Sequence, residues 1–272
     1  MHSTGLLDRR ADLRPPDVRE LLVLWQHPGT REFVPIGRFG YDGSTYSFAY
    51  TRAAAALTDF RPLPTFRDLD RSYVLERMPT IFAQRVMSAG RPDFGDYARS
   101  LGLEPGRTTP WEQIVRSGGV RAGDTLQFME VPDIQAGRVG ARFFVNGLRY
   151  IPDRERDVGG RRMQVSLEQQ EAALDRLAPG DLLTVEAEDG NKSDPCATLV
   201  TSEGVPLGWV PRLMAPSFRE LLSSSDLTAA VVRVGGSLAP SHSRVVAELD
   251  VAAPPGFRFD RDDRWQPLVN RL

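Results

Sequence analysis

The sequence predicts an α+β protein in which a small α+β unit precedes a partly open β-barrel. In the first half, Asp42-Gly43 separates two runs of alternating apolar residues, which is a strong β-hairpin signal. In the second half, five short strand candidates separated by turn residues lie between residues 182 and 251. A helix that begins with Ser166 and Gln169 as a capping box precedes them. Several short strands with one or two helices are typical of a small barrel rather than of a parallel sheet.

The first half divides into three segments. Residues 1–17 are polar and end after two prolines, so we interpret them as a flexible tail. Residues 18–105 contain the hairpin, a proline-broken extended piece and two segments with helical spacing, which predict a small α+β domain. Residues 106–140 are rich in glycine and proline around one short helix and one strand candidate, and we interpret them as a connecting segment.

The second half begins with the strand candidate ARFFVNGLRY at residues 141–150. The capped helix follows and ends before Pro179-Gly180, and a further helical segment lies between the third and fourth of the five strands. Residues 141–252 therefore predict the barrel domain. Residues 253–272 carry no clear pattern, and we interpret them as a C-terminal tail that packs back or frays.

Composition and charge narrow the possible functions. The 272 residues carry a net charge of −2, and all of the basic residues except Lys192 are arginines. This balance argues against tight, sequence-independent coating of nucleic acid, so any nucleic-acid contact must use a local site. The single cysteine rules out an intrachain disulfide. The chain has no signal-peptide pattern and no apolar run of membrane-spanning length, so we expect a cytoplasmic protein without a membrane partner.

Signatures of catalysis are missing from the sequence. The three histidines form no metal-binding pair, and one cysteine cannot build a cysteine-rich zinc site. There is no P-loop, no nucleophile elbow and no protein-kinase motif set. We therefore predict a non-enzymatic protein with no catalytic residues, no metal and no cofactor.

Four short motifs follow one another between residues 180 and 222: Gly180-Asp181-x-Leu183, Asn191-x-x-Asp194, Ala197-x-x-Val200 and Gly208-Trp209-Val210-Pro211-Arg212. Together with NGLRY at residues 146–150 upstream, this stretch resembles the HIRAN domain. That family has a Gly-Asp-x-Leu strand, an Asn-x-x-Asp turn, an Ala-x-x-Val strand and a Gly-x-hydrophobic-Pro-Arg run that enters a helix. The opening strand of the family carries Gly-hydrophobic-Arg-Tyr. The order and spacing of these motifs carry the resemblance, which covers about residues 141–251. The matching residues are Gly147, Arg149, Tyr150, Gly180, Asp181, Leu183, Asn191, Asp194, Ala197, Val200, Gly208, Trp209, Val210, Pro211 and Arg212.

The resemblance implies an OB-like barrel that, in helicase-linked members, captures the 3′ end of single-stranded DNA. It places the ligand at Arg149, Tyr150, Asn191, Asp194 and Arg212. An Asn and an Asp in a tight turn can hydrogen-bond a terminal sugar, and an arginine fork can hold a phosphate. Aromatic rings can stack the last base, since every base has a π-face.

Trp209 is a further candidate for base stacking. The family often carries aromatic residues at two positions where this chain has Ile151 and Ser193. Simpler roles stay open for every residue in the set. Asn191 and Asp194 can act as turn formers, the two arginines can form surface ion pairs, and both aromatic rings can be half-buried core.

The order of elements in residues 18–105 is similar to that of the N-terminal subdomain of HipA-type toxin kinases. The similar parts are the hairpin, the extended PLPTF segment, the helix with IFAQRVM and the helix that ends DYARSLGL. In that family the subdomain carries no catalytic residue, packs on the kinase core and contacts a helix-turn-helix antitoxin. The resemblance implies a possible protein partner for this unit.

Two functional hypotheses follow. The first is a nucleic-acid-binding protein that recognises single-stranded DNA ends and recruits or regulates a partner. The alternative is a protein-interaction module of a toxin–antitoxin-like or kinase-associated system that binds no nucleic acid.

Overall fold

The computed structural model describes residues 18–121, 123–158, 160–237 and 239–269. The predicted tail, residues 1–17, lies outside the described residues. The protein is a mixed α+β molecule with two main antiparallel sheets and few, short helices. The predicted α+β class is therefore confirmed. The α-helices are α1 (Arg52–Ala55), α2 (Thr80–Ala83), α3 (Phe94–Ser100), α4 (Pro110–Ser117), α5 (Leu167–Arg176) and α6 (Ala215–Leu222).

The first sheet has five strands in the order β4-β3-β2-β1-β5. The predicted Asp-Gly hairpin connects β2 to β3, and the Asp42 carboxylate accepts hydrogen bonds from the backbone N–H groups of Ser44 and Thr45, both at 2.8 Å. These bonds lower the pKa of Asp42, because they stabilise its charged form. The strands are β1 (Glu20–Gln26), β2 (Phe33–Tyr41), β3 (Tyr46–Tyr50), β4 (Tyr73–Leu75) and β5 (Leu126–Glu130).

Much of the segment that we interpreted as a connection belongs to this first unit. Trp111 of α4 is fully buried and donates its indole N–H to the backbone oxygen of Val18 at 2.7 Å. Strand β5 pairs antiparallel with β1 along its whole length. Residues 106–130 are therefore an integral part of the α+β unit, because the helix fills its core and the strand completes its sheet.

The remaining strands build a second sheet and a separate hairpin. The second sheet has the order β12-β11-β10-β13-β14-β7-β6, and among the strands that the structure describes β8 and β9 pair only with each other. The five strands expected between residues 182 and 251 are all present as β10 to β14. The strands are β6 (Asp133–Gln135), β7 (Arg138–Phe144), β8 (Arg156–Val158), β9 (Arg161–Met163), β10 (Leu182–Ala187), β11 (Thr198–Ser202), β12 (Val205–Trp209), β13 (Leu227–Val234) and β14 (Val245–Ala252).

The described residues form no closed barrel. One isolated antiparallel bridge joins Asn146, just beyond β7, to Trp209 at the end of β12, with both N–O distances at 2.8 Å. The expected strand at residues 141–150 is shorter than predicted, since β7 ends at Phe144 and Leu148–Tyr150 is a 3₁₀ turn. Gly147 causes this change, because its φ of +73° turns the chain out of the strand.

Strand β1 is buried on both faces. Leu21 and Val23 pack in the core of the first unit, while Leu22 and Leu24 pack in the core of the second. A continuous apolar run is typical of a strand that is covered on both sides. The two units therefore share one strand as a common wall, rather than being joined by a linker.

The C-terminal segment packs back across both units. Phe257 and Trp265 are buried in the second core, and Leu268 donates its backbone N–H to the oxygen of Tyr50 at 2.8 Å. The bridge between Thr51 and Pro267 extends the same contact. Two aromatic side chains thus anchor a segment whose sequence has no strand or helix period.

At the junction of the units, burial raises the pKa of Glu130 on β5 to about 7 from the ordinary 4.5, although Arg142 at 3.8 Å opposes the shift. Between these two values the unfolded chain releases this proton before the folded chain does, so stability falls as pH rises through that window. We expect Glu130→Gln to remove this pH dependence of the free energy of unfolding. The free energy of unfolding of the variant, relative to the wild type, should rise by roughly 3 kcal/mol between pH 4.5 and 8.

Urea unfolding at a series of pH values measures this difference. Glu104→Gln is the matched control, because Glu104 is exposed and its change should give a difference that does not depend on pH. A Glu130→Gln difference that stays constant from pH 4.5 to 8 would contradict the assignment.

Candidate nucleic-acid groove

One open groove collects most of the predicted site residues. Its walls are the turn after β7, the β8–β9 hairpin, the loop of residues 188–197 and the end of β12 with the residues after it. The side chains of Tyr150, Asn191, Asp194, Trp209 and Arg212 all line it. Residues separated by up to 62 positions in the chain thus meet on one surface, because the Asn146–Trp209 bridge brings β7 and β12 together.

Tyr150 is the most exposed aromatic residue of the groove lining, with 45% of its surface accessible. The Arg149 guanidinium lies 4.7 Å from the ring centroid and also donates to the tyrosine hydroxyl. The Arg154 guanidinium lies 5.9 Å from the same centroid. Arg149 contacts the groove through Tyr150 rather than lining it directly. Arg149 thus covers part of the ring, as Arg156 does at Trp209, and the 45% of Tyr150 that stays accessible is the surface on which a base can stack beside the two cations.

Glu188 is the structural centre of the groove floor, and sequence reasoning did not select it. It is buried and accepts hydrogen bonds from Trp209 Nε1 at 2.7 Å, from Arg156 Nη1 at 3.1 Å and from Asn191 Nδ2. The Arg156 side chain is nearly as buried, and its Nη2 donates to the backbone oxygen of Tyr150. The only sequence signal was a carboxylate three residues before the Asn of the turn.

Trp209 is half-buried, in agreement with the alternative that its ring belongs to the core. The Arg156 guanidinium lies 4.5 Å from its ring and covers one face, while the indole N–H is bound to Glu188. A Cβ atom at Gly147 would come within 2.6 Å of the same ring, so the chain approaches it closely on that side as well. Trp209 therefore builds the wall of the groove and does not offer an open face to a base.

Asn191 and Asp194 organise the loop between β10 and β11. Asn191 Oδ1 accepts from the backbone N–H groups of Ser193 at 2.9 Å and Asp194 at 3.1 Å. Asp194 Oδ1 accepts from the N–H of Cys196 at 2.9 Å, and its Oδ2 lies 4.0 Å from Arg212 Nε. Both residues thus act as turn formers, and Asp194 also brings one carboxylate oxygen close to an arginine of the groove.

Arg212 lies where the two units meet. Its Nη2 is 3.1 Å from Glu32 Oε1, and Glu32 belongs to the loop between β1 and β2 of the first unit. Phe33, at the start of β2, also lines the groove. The first unit thus contributes to a surface that the sequence assigned to the second unit alone.

The charged lining of the groove is balanced. In the part of the chain that the structure describes, Arg154 and Lys192 take part in no ion pair, so their charges remain available to a ligand. The other cations of the lining have acidic partners. The lining contains the basic residues Arg154, Arg156, Arg162, Lys192 and Arg212 and the acidic residues Glu155, Asp157, Glu188, Asp189 and Asp194.

The two positions that differ from the HIRAN pattern have different surroundings. Ile151 is fully buried in a small core with Val158 and Leu199, so its side chain takes no part in the groove. Ser193 is exposed and lines the groove without supplying a ring. Exposed aromatic surface in the groove must therefore come from other positions.

The fold and this surface define an α+β protein with antiparallel sheets and an open groove lined by aromatic and charged side chains. Compared with protein-family models, with curated proteins and with solved structures, the chain shows no match. Among residues 18–269, apart from the three positions that are not described, no group of three or more His, Cys, Asp or Glu side chains could hold a metal ion. Over the same residues, no helix has the length and apolar character needed to cross a membrane.

Proposed function

We propose that this groove binds a single-stranded nucleic-acid end and that the protein is a non-enzymatic, HIRAN-like recruiting or regulatory factor. The observation that carries the proposal is the exposed Tyr150 ring with Arg149 and Arg154 beside it. A ring flanked by guanidinium groups can stack a base and hold the adjoining phosphates at the same time. The balanced charge of the rest of the lining suits a short, local contact rather than a long one.

Each groove residue has a distinct role in the proposed complex. Tyr150 stacks the terminal base, and Arg149, Arg154 and Lys192 contact phosphates. The Asp194 carboxylate accepts a hydrogen bond from the terminal sugar hydroxyl, while Asn191 holds the loop in shape. This assignment predicts that a 3′-phosphate weakens binding, because a second negative charge would approach the Asp194 carboxylate.

We also propose that the second sheet is an OB-like barrel that remains open along one side. The bridge between Asn146 and Trp209 supports this topology, since it connects β12 to the chain just beyond β7, and four strands lie between β12 and β7 in the sheet order. In such barrels the ligand lies across the strands and loops of one face. The groove runs along the edge where this bridge lies.

A second candidate function is protein binding through the first unit. Strand β4 forms the free edge of the first sheet, and Val74 on it is 66% exposed. An edge strand with an exposed apolar side chain can pair with a strand of another protein. This is the HipA-like interaction module. Co-purification of one partner from the native host, together with no oligonucleotide binding, would favour this function over the first.

Fluorescence anisotropy with a labelled single-stranded oligonucleotide tests the nucleic-acid proposal. We expect Tyr150→Ala to weaken binding at least about five-fold, because one stacked base contributes ~1–3 kcal/mol. Arg149→Ala should weaken it as well, by removing a phosphate contact and the cation beside the ring. Arg107→Ala, which changes an exposed arginine on the first unit, is the matched control and should leave affinity unchanged.

Salt dependence provides a second readout of the same complex. Three phosphate contacts predict that log K falls against log salt with a slope of about −2 for a single strand. The proposal fails if hydroxyl and phosphate ends bind equally weakly and Arg149→Ala has no effect on either.

A further inference from the structure

The β1–β2 loop of the first unit presents an aromatic side chain to the groove. Phe33 begins β2 opposite Gln26 of β1, and 38% of its surface is exposed. It lines the same groove as Tyr150. Because one face of Trp209 is covered by Arg156, Phe33 and Tyr150 supply the most accessible rings of this lining. An exposed large apolar side chain at a polar groove is a candidate ligand contact.

Glu32, the residue before Phe33, forms an ion pair with Arg212 of the groove. Glu32 lies 3.1 Å from Arg212, whose Nε is also 4.0 Å from Asp194. Two carboxylates, one from each unit, therefore compensate the Arg212 guanidinium. Both Arg212 and Glu32 are about half exposed, so this pair is weak enough for a competing anion to open it.

Hydrogen bonds within the β1–β2 loop, which carries Glu32 and leads into Phe33, hold this loop in one conformation. His27 Nδ1 accepts from the backbone N–H groups of Gly29 at 3.1 Å and Thr30 at 3.0 Å. Since Nδ1 accepts, the ring carries its proton on Nε2, which donates to Asp59 at 2.8 Å. These contacts fix Glu32 and Phe33 at the rim of the groove before any ligand arrives, and preorganisation lowers the entropic cost of binding.

We propose that the first unit forms part of the ligand-binding surface of the groove. Phe33 supplies a second aromatic surface for a nucleobase, and Glu32 competes with a ligand phosphate for Arg212. This inference rests on the proposed nucleic-acid function and deepens it, because it makes the ligand contact both units. The occupant is then a nucleotide segment whose base and phosphate lie between Tyr150, Phe33 and Arg212.

Anisotropy measurements on the full chain with a single-stranded oligonucleotide test the aromatic part. Phe33→Leu keeps an apolar side chain but removes the ring, and should weaken binding about five-fold or more, while Phe33→Trp should bind at least as tightly as the wild type. Val120→Leu, at an exposed position of the first unit outside the groove lining, is the control and should not change affinity. Equal melting temperatures of the variants show that the fold is intact.

Glu32→Gln tests the charge competition and should tighten binding about two- to five-fold, because it removes the nearer of the two carboxylates that compete with a phosphate for Arg212 and leaves Asp194 at 4.0 Å. In the Arg212→Gln background the same change should have no effect. If Tyr150→Ala weakens binding while Phe33→Leu and Glu32→Gln leave it unchanged, this inference is overturned and the proposed function stands. If the wild type binds no oligonucleotide, both are overturned.

Discussion

A fragment of residues 141–252, the domain that sequence reasoning defines, is expected to be unfolded in isolation. Its core depends on side chains that lie outside these bounds. Burial of one large apolar side chain contributes ~1.5–3 kcal/mol, so the loss of six removes about 9–18 kcal/mol. A whole domain is stable by only about 5–15 kcal/mol, so the fragment cannot hold its fold. The buried residues that it lacks are Leu22, Leu24, Met129, Val139, Phe257 and Trp265.

Circular dichroism and urea unfolding of the purified fragment measure this result. The fragment 18–269 is the control and should unfold cooperatively, since it retains both cores. In the full chain, Leu22→Ala should lower the free energy of unfolding by about 2–5 kcal/mol, whereas Leu182→Ala, at a 68% exposed position, should change it by less than about 0.5 kcal/mol. Cooperative unfolding of fragment 141–252 would show that the shared strand is dispensable.

Features of the fold that depend on local chemistry were predictable from the sequence. Asp42-Gly43 specified its hairpin, because an Asx side chain and a glycine satisfy a tight turn without distant help. Ser166 and Gln169 specified the start of α5 through reciprocal hydrogen bonds, which the structure contains. Period-two patterns specified the strands of the second sheet. In each case the signal and the structure lie within about ten residues.

The boundary between the units was not predictable in the same way. It depends on the pairing of β1 with β5, which lie about 100 residues apart, and on burial of β1 from both sides. The run LLVL is compatible with a strand covered on two faces, but it does not indicate which segment of the chain covers the second face. The glycines and prolines of residues 106–140 mark turns between elements, and they were interpreted as a linker.

The site was partly predictable for a similar reason. Asn191 and Asp194 could be selected from their turn pattern, and Tyr150 from the Gly-hydrophobic-Arg-Tyr motif in a segment predicted as a strand, and the structure brings all three to one groove. Arg156 and Phe33 could not be selected, because their roles depend on contacts with distant segments. Arg156 meets Glu188 across 32 positions, and Phe33 reaches the groove from the other unit.

Glu188→Leu is expected to destabilise the protein by about 3–5 kcal/mol, because it leaves the buried Arg156 guanidinium without its counter-charge. It also leaves the Trp209 indole and the Asn191 amide without their acceptor. Urea unfolding measures the loss. Glu104→Leu changes one partner of an exposed pair and should cost less than about 0.5 kcal/mol.

The double variant Glu188→Leu with Arg156→Leu separates charge from packing. It should be more stable than Glu188→Leu alone, because no uncompensated charge remains buried. Its groove should nevertheless bind oligonucleotide more weakly than the wild type, since Arg156 also holds the backbone oxygen of Tyr150 and covers one face of Trp209. Stability and binding should therefore respond differently to the same pair. A double variant that is no more stable than Glu188→Leu would show that the cost lies in lost packing and not in the unpaired guanidinium.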